Sequence, residues 1–321
     1  MNTSCIYKKR GEVMDIVGID IGGTKCAVVR GNENGEIIKK VMFATKDRDT
    51  TLKMIVDAVD SMGAFDAIGI SCGGPLDSKK GVIMSPPNLP GWDNVEIVKM
   101  LRDRFSVPVF LKNDADACAL AEWKYGAGKG TENMIFLTFG TGLGAGLILG
   151  GRLYSGACDM AGEVGHIRLS DFGPVGYGKS GSFEGFCSGG GIAQLGQTVA
   201  KENSQMGHPV SFAEGEITAK TIAEAAKNGD ENALAVYRQC GAMLGKGLSV
   251  LIDILNPEMI VLGSIFQRSE ELLRDEMTKV IEKETLALSR NACKIVPAEL
   301  RDSLGDFAAL CVAVCGIKGE I

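Results

Sequence analysis

The sequence predicts a two-domain α/β protein in which one supersecondary unit occurs twice, with a cleft between the copies. Three observations predict it. The chain has 321 residues, too many for one ordinary hydrophobic core. Strand-like and helix-like periodicities alternate along it. A strand–glycine turn–strand unit near the start returns from Met134, so that Gly22-Gly23-Thr24 falls on Gly140-Thr141-Gly142.

The elements follow in order. "DIVGIDIG" reads as a strand, followed by a Gly-Gly-Thr turn, a second strand "KCAVVRG", the turn signal "NENGEI" and a third strand "IIKKVMFAT". Leu52, Ile55, Val56, Val59 and Met62 recur at helical spacing. "DAIGISC" is a short buried strand ending in "GGPLD", and Val95, Val98, Leu101 and Phe105 mark the next helix. "VPVFLKND" is a strand, with the helix "DADACALAEWKYG" behind it. In the second half, "NMIFLTFG", the turn "TGLG" and the strand "AGLILGGRLY" repeat the opening hairpin. Residues 161–191 are glycine-rich and irregular. A long helix runs from about Glu231 to Leu255, ended by Asn256-Pro257. The strand "MIVLGS", a helix from Arg268 to Leu286, the strand "CKIVPAE" and a closing helix from Gly305 to Cys315 complete the chain.

Composition excludes several classes. Hydrophobic residues make up 45% and charged residues 23%, a globular balance. The net charge of -6 and the lack of a basic arm argue against a nucleic-acid partner. The longest apolar runs are broken by Gly and Thr, so no membrane span or signal peptide is expected, and the default is a cytoplasmic enzyme. The ten cysteines contain no C-x-x-C pair and there are only two histidines, His166 and His208. Reduced, mostly buried thiols fit that pattern better than a zinc cluster.

Chemistry concentrates at a few places. The turns Gly22-Gly23-Thr24-Lys25 and Gly140-Thr141-Gly142-Leu143-Gly144 are phosphate-loop candidates, because a backbone without Cβ atoms can bring its N–H groups up to phosphate oxygens. Either alone reads as an ordinary hairpin turn; two, each closing the first hairpin of a repeated unit, favour a nucleotide. Neither is a Walker P-loop. Asp20, two residues before the first turn, can partner Mg2+ through water. Asp114 follows Asn113 at a strand-to-helix junction. There an Asp is by default an N-cap worth ~1 kcal/mol; the functional alternative is a general base taking the proton of an attacking hydroxyl. Glu163, His166 and Glu184, on irregular backbone, suit recognition of hydroxyl groups, and Asn88 in "SPPNLPGW" is another such group. The structural reading of His166 is a satisfied structural histidine.

Together these residues resemble the ROK family of sugar kinases, which includes bacterial glucokinases and kinases of N-acetylated amino sugars. "GIDIGGTK", "SPPNLPGW", "KNDADACALAEW", "FGTGLGAGLILGGRLY" and "AGEVGHI" stand in the family's order and spacing over nearly the whole chain. The resemblance implies a two-domain actin-like, duplicated ribonuclease H-like fold with the active site in the inter-domain cleft. The implied domains are 13–117, with the helix 304–316 packing back on it, and 118–303. It implies Asp114 as catalytic base. Gly74, Asn88, Asn113, Glu163, His166 and Glu184 fall on the sugar side, and Asp20, Gly22, Gly23, Thr24, Lys25, Thr141, Gly142, Gly144 and Gly263 on the nucleotide side, with Ser264 in place of a second glycine. ATP and Mg2+ are the implied co-substrate and metal, a sugar the partner, and a homodimer the assembly.

One departure stands out. The family carries C-x-C-G-x-x-G-C-x-E, whose cysteines help hold a structural zinc. Here Val175, Tyr177 and Ser182 occupy the cysteine positions, while Gly178, Gly181 and Glu184 remain. Val and Ser cannot replace a thiolate, so no structural zinc is expected, and packing of Phe172, Tyr177, Phe183 and Phe186 is expected to hold the loop. The function implied is ATP-dependent phosphorylation of a hexose at its 6-hydroxyl. The alternatives are a kinase of an N-acetylated amino sugar or of fructose and, from another class, a non-catalytic sugar-sensing regulator. About 13 residues before the first strand are too few for the winged-helix module of the family's repressors.

Overall fold

The computed structural model describes residues 13–321, and Cys5 therefore lies outside the described residues. They form two compact units, 13–121 with 302–321 and 122–301.

The first unit is built on a five-stranded sheet. Strands β1 (Asp15–Ile21), β2 (Lys25–Asn32) and β3 (Ile37–Ala44) form an antiparallel meander. Strands β4 (Ala67–Cys72) and β5 (Val109–Asn113) add in parallel beyond β1, giving the order β3-β2-β1-β4-β5. β4 is buried throughout, as expected of a parallel strand covered on both faces. Helix α1 (Arg48–Asp60) is capped by Asp47, which accepts from the Thr50 N–H at 3.0 Å, and buries Thr51, Ile55, Ala58 and Val59. Helix α2 (Ile97–Phe105) precedes β5; Val95, taken from its spacing as helical, instead forms an isolated bridge with Ile83. The C-terminal helix Leu304–Lys318 is buried continuously from Ala308 to Cys315. It lies directly on the sheet because Gly18 and Gly69 face each other across β1 and β4. A Cβ on Gly18 would stand 2.8 Å from the Leu310 nitrogen, and one on Gly69 would strike the Ala309 carbonyl.

The second unit repeats this plan. Strands β6 (Met134–Leu137), β7 (Ala145–Leu149) and β8 (Arg152–Leu153) are antiparallel, and β9 (Met259–Leu262) and β10 (Lys294–Pro297) run parallel to β6. The order β8-β7-β6-β9-β10 reproduces that of the first unit strand for strand. This is the duplicated ribonuclease H-like, actin-like α/β fold. The strand expected over 145–154 is broken at Gly150 and Gly151, whose φ values of 59° and 71° make the tight turn between β7 and β8.

Helix α3 (Asp114–Tyr125) leaves β5, and four further helices belong to the second unit: α4 (Gly189–Gln205), α5 (Ala219–Lys227), α6 (Glu231–Leu255) and α7 (Ile265–Glu284). α6 starts at Asp230, which accepts from the Asn232 and Ala233 N–H groups, and stops at left-handed Asn256. Gly241 and Gly245 let α7 approach closely, since Cβ atoms there would lie 2.7 and 2.6 Å from the Leu273 and Met277 carbonyls. No disulfide joins the described cysteines, and no helix among the described residues is long and apolar enough to cross a membrane.

Candidate active site

In the first unit, β1 delivers Asp20 to the mouth of the β1–β2 turn. The turn closes through the Gly22 N–H, which donates to the Lys25 carbonyl at 3.1 Å, and the Thr45 hydroxyl donates to the Gly22 carbonyl at 2.6 Å. The Gly22 donor is therefore spent inside the turn. Gly23 is required by Asn88: a Cβ at Gly23 would strike the Asn88 carbonyl oxygen. The Asn88 side-chain amide also stands 3.4 Å from where a Cβ on Gly73 would lie. Asn88, Thr24 and Lys25 are exposed, as is Gly74, where a Cβ would meet no protein atom within 4 Å.

Asp20 shares a row of the sheet with Ser71, whose hydroxyl bonds to it. Burial, then the negative charge of Asp114, and further on that of Asp306, push the Asp20 carboxyl up to about 6. Asp306 comes from the first turn of the C-terminal helix, where Gly305 keeps the way clear; a Cβ there would stand 3.2 Å from Asp20 Oδ2. Lys40 pairs with Asp306 at 2.7 Å.

Asp114 is not the N-cap that its position suggests. Asn113 has that role: its Oδ1 accepts from the Asp116 N–H at 2.7 Å. Asp114 is the first residue of α3, and its Oδ1 accepts from the adjacent Ala115 N–H, at 2.9 Å. The side chain is open to solvent, yet enough protein surrounds it that desolvation raises its carboxyl above the usual range, against the pull of the Ala115 N–H. The junction therefore separates the two jobs, with the cap on Asn113 and a basic carboxylate on Asp114.

In the second unit the matching turn joins β6 to β7. Its backbone donors can be followed one at a time. The Gly140 N–H donates to the Gly142 carbonyl at 3.1 Å, and the Gly144 N–H to Thr138 Oγ1 at 3.0 Å. The Leu143 N–H donates to Glu184 Oε2 at 3.0 Å. Those of Thr141 and Gly142 make no hydrogen bond among the described residues. Gly142 does not have a positive φ; it is a glycine because a Cβ there would come within 2.8 Å of Glu184 Oε2. Gly263 sits at the C-terminal end of β9 and donates to the Leu137 carbonyl at 3.0 Å. Ser264 follows with φ 50°, and its Oγ lies 3.6 Å from where a Cβ on Gly140 would stand.

The segment "AGEVGHI" is pressed against the same turn. Cβ atoms on Gly162 and Gly165 would strike the Ala145 and Leu143 carbonyls, so only glycines admit this approach. Glu163 precedes the resulting 3-10 turn and His166 ends it, and both are exposed. Glu184 is thus brought together with Gly142, Leu143 and the Glu163–His166 turn. The expected aromatic packing of the surrounding loop is corrected here. Phe183 and Phe186 are buried, but Phe172 is 85% and Tyr177 75% exposed. Hydrogen bonds hold the loop: Gln194 clasps Val175 through both its amide atoms, at 2.9 Å each, and Arg168 donates to the Ser180 carbonyl at 2.8 Å. Ser182 is fully buried and caps the one-turn helix Phe183–Phe186 by accepting from the Gly185 N–H at 3.0 Å. That cap anchors the backbone turn from which Glu184 extends.

Among the described residues, no three His, Cys, Asp or Glu side chains gather as a metal-holding group. Asp20 offers a carboxylate beside the negative charges of Asp114 and Asp306. An oxygen donor in such a field fits Mg2+, which keeps several waters and takes one or two carboxylates plus substrate phosphates. Ser71, Gly305 and Asp306, and in the second unit Thr138, were not foreseen from the sequence; their partners lie far away along the chain or appear only once the turns close.

The ROK family model matches residues 16–313. A glucokinase of Thermotoga maritima is 30% identical over 268 residues, 81% of this chain and 84% of its own. A xylose repressor of Caldicellulosiruptor bescii is 28% identical over 303 residues, 91% of this chain and 76% of its own. A ROK family glucokinase of Streptomyces griseus, solved in complex with glucose and AMPPNP, is 30% identical and superimposes with a TM-score of 0.74 over 94% of this chain and 99% of its own.

Proposed function

The chain belongs to the ROK family, and on that premise we propose that it is an ATP-dependent hexose kinase that phosphorylates the sugar 6-hydroxyl. The glucokinases among its relatives support sugar kinase activity. The observation that carries the reading is the division of labour at the β5–α3 junction, where Asn113 caps the helix and leaves Asp114 with an open, desolvated carboxylate.

Asp114 accepts the proton of the sugar hydroxyl. The sugar oxygen then forms its bond to the γ-phosphorus as the bond from phosphorus to the bridging oxygen of ADP breaks. A raised pKa makes Asp114 a better proton acceptor than an ordinary carboxylate. Asn113 uses its oxygen as the cap, and its amide N–H groups remain to orient a sugar hydroxyl. Gly74, Asn88, Glu163, His166 and Glu184 supply further sugar contacts. The first turn, with Thr24 and Lys25, and the second, with the open Thr141 and Gly142 donors, take the phosphates. Gly144 and Gly263 shape the second turn and its neighbour. When bound, Mg2+ supplies positive charge against the phosphates, and Asp20 is the residue that would hold it through water.

A panel of glucose, N-acetylglucosamine, N-acetylmannosamine and fructose, each with MgATP and an ADP-release readout, tests the reading; sugar-independent or absent ADP release contradicts it. The likeness to a xylose repressor favours a second reading, a sugar-responsive regulator that binds sugar without turnover, and the same panel run beside calorimetric sugar binding separates the two.

A further inference from the structure

Glu184 carries a group that the catalytic scheme leaves in an awkward place. Its carboxylate occupies the second glycine turn, accepting from the Leu143 N–H at 3.0 Å and lying 2.8 Å from where a Cβ on Gly142 would stand. That turn has two unspent donors, on Thr141 and Gly142, and a third, on Leu143, filled by an anion from the protein itself. A phosphate oxygen arriving at Thr141 and Gly142 would meet a like charge and find the third donor taken. No Lys, Arg or His forms an ion pair with Glu184 among the described residues, so nothing offsets that charge locally. The base of the side chain, by contrast, is fixed by packing. The Ser182 cap sets the one-turn helix that carries it, and its Cβ stands 3.2 and 2.8 Å from where Cβ atoms on Gly165 and Gly176 would lie.

We propose that Glu184 is a positioning residue that couples sugar to nucleotide: its carboxylate guards the Leu143 N–H against phosphate until a sugar hydroxyl draws it away. The inference rests on the kinase reading and on Glu184 as a sugar contact. A hydroxyl donating to the carboxylate competes for the oxygen now bonded to Leu143 and spreads its charge. The freed N–H then joins those of Thr141 and Gly142 as a three-donor nest for the phosphate. Coupling of this kind is reciprocal, so nucleotide and sugar should each tighten the other. It would also disfavour phosphate binding before an acceptor other than water is present.

The test is the affinity of the non-hydrolysable analogue MgAMPPNP, measured by calorimetry with and without the sugar found to be phosphorylated. In the parent, sugar should tighten the analogue about fivefold or more, the lower end of usual coupling. Glu184→Gln keeps an oxygen for Leu143 but removes the charge; it should bind the analogue more tightly than the parent without sugar, by a similar factor, and lose the sugar dependence. Adenosine, which has no phosphate, should bind parent and variant alike. A residue that only held the loop would instead weaken the analogue when substituted. Parent-like or weaker analogue binding by a folded Glu184→Gln variant overturns the proposal. Should the variant fail to fold, sugar-independent analogue affinity in the parent overturns it equally. A parent that binds no analogue at all removes the kinase reading itself, and the proposal with it.

Discussion

The two glycine turns sit at the same place in two copies of the same sheet, and each is guarded by a carboxylate obtained differently. At the first, Asp20 comes from the strand entering the turn, and Asn88 backs the glycines with its main chain. At the second, the position matching Asp20 is Thr138, whose hydroxyl is spent on the Gly144 N–H, and the carboxylate arrives from Glu184, 41 residues beyond Leu143. The two copies share the path of the backbone, while their charges come from different elements. The first turn therefore stands beside the carboxylates of Asp20 and Asp114 and the main chain of Asn88, the second beside the end of the Glu184 side chain.

The largest expected effect lies on the first side. Asp114→Asn should lower kcat by about two to four decades, the range of general-base contributions. Melting temperature should not fall, because the cap belongs to Asn113 and the lost carboxyl is one whose pKa the fold raises, and calorimetric sugar affinity should largely survive. Asn113→Ala is the counterpart: it removes the cap and should cost ~1 kcal/mol of stability. If the two variants exchanged these signatures, the assignment at the junction would be reversed.

Asp20→Asn should come next, with a fall in kcat/KM for MgATP of about two decades, typical for losing a preorganised electrostatic contact. Its stability effect should have the opposite sign. The Asp20 carboxyl is raised from 3.8 to about 6 in the fold, so between those values the unfolded chain is ionised while the folded one is still protonated. Stability tied to this group is present below 3.8 and is lost as pH rises through about 6. Without magnesium, the variant should therefore melt above the parent at pH 7–8, and the difference should shrink as pH falls toward 4. The parent's kcat/KM should fall on the acid side of about 6, where Asp20 takes up its proton. The corresponding substitution on the other side, Thr138→Ala, removes only neutral hydrogen bonds to the Gly144 main chain, each worth about 1 kcal/mol, and should leave that pH limb in place.

A pair of glycine substitutions separates wall from gate. Gly23→Val drives a side chain into the Asn88 main chain and should cost about 1–3 kcal/mol of stability, as overpacking does. Gly142→Val meets only the Glu184 carboxylate, which can turn aside; it should raise the KM for ATP with a smaller change in melting temperature. Equal destabilisation by both would make the two turns alike. The smallest effect is expected at Ser182→Ala, which removes a buried cap for about 1 kcal/mol and should weaken sugar affinity through Glu184 before it disturbs the first turn.

Much of the fold was legible because it is local. The alternation of strands and helices, the repeated hairpin, and helix α6 with its Asp230 start and Asn256-Pro257 stop are written in short-range chemistry. Helix α4 was not legible, since it opens on Gly189-Gly190-Gly191 and glycine is among the poorest helix formers. Nor was the break at Gly150-Gly151 inside an apolar run that reads as one strand. The site divides the same way. Residue types and turns could be picked out, but Asp306 reaching Asp20 from the far end of the chain, Asn113 taking the cap from Asp114, and Glu184 reaching Leu143 are products of tertiary packing. A periodicity argument does not contain them.

The central claim is phosphoryl transfer from ATP to the 6-hydroxyl of a hexose, and the product itself is its most direct witness. Parent protein incubated with MgATP and the sugar that releases ADP should give a new phosphomonoester signal in the 31P NMR spectrum, split into a triplet by the two methylene protons at carbon 6. A doublet, placing the phosphate on a ring carbon, would contradict the assigned acceptor; inorganic phosphate alone, or no new signal beside tight sugar binding, would contradict the kinase.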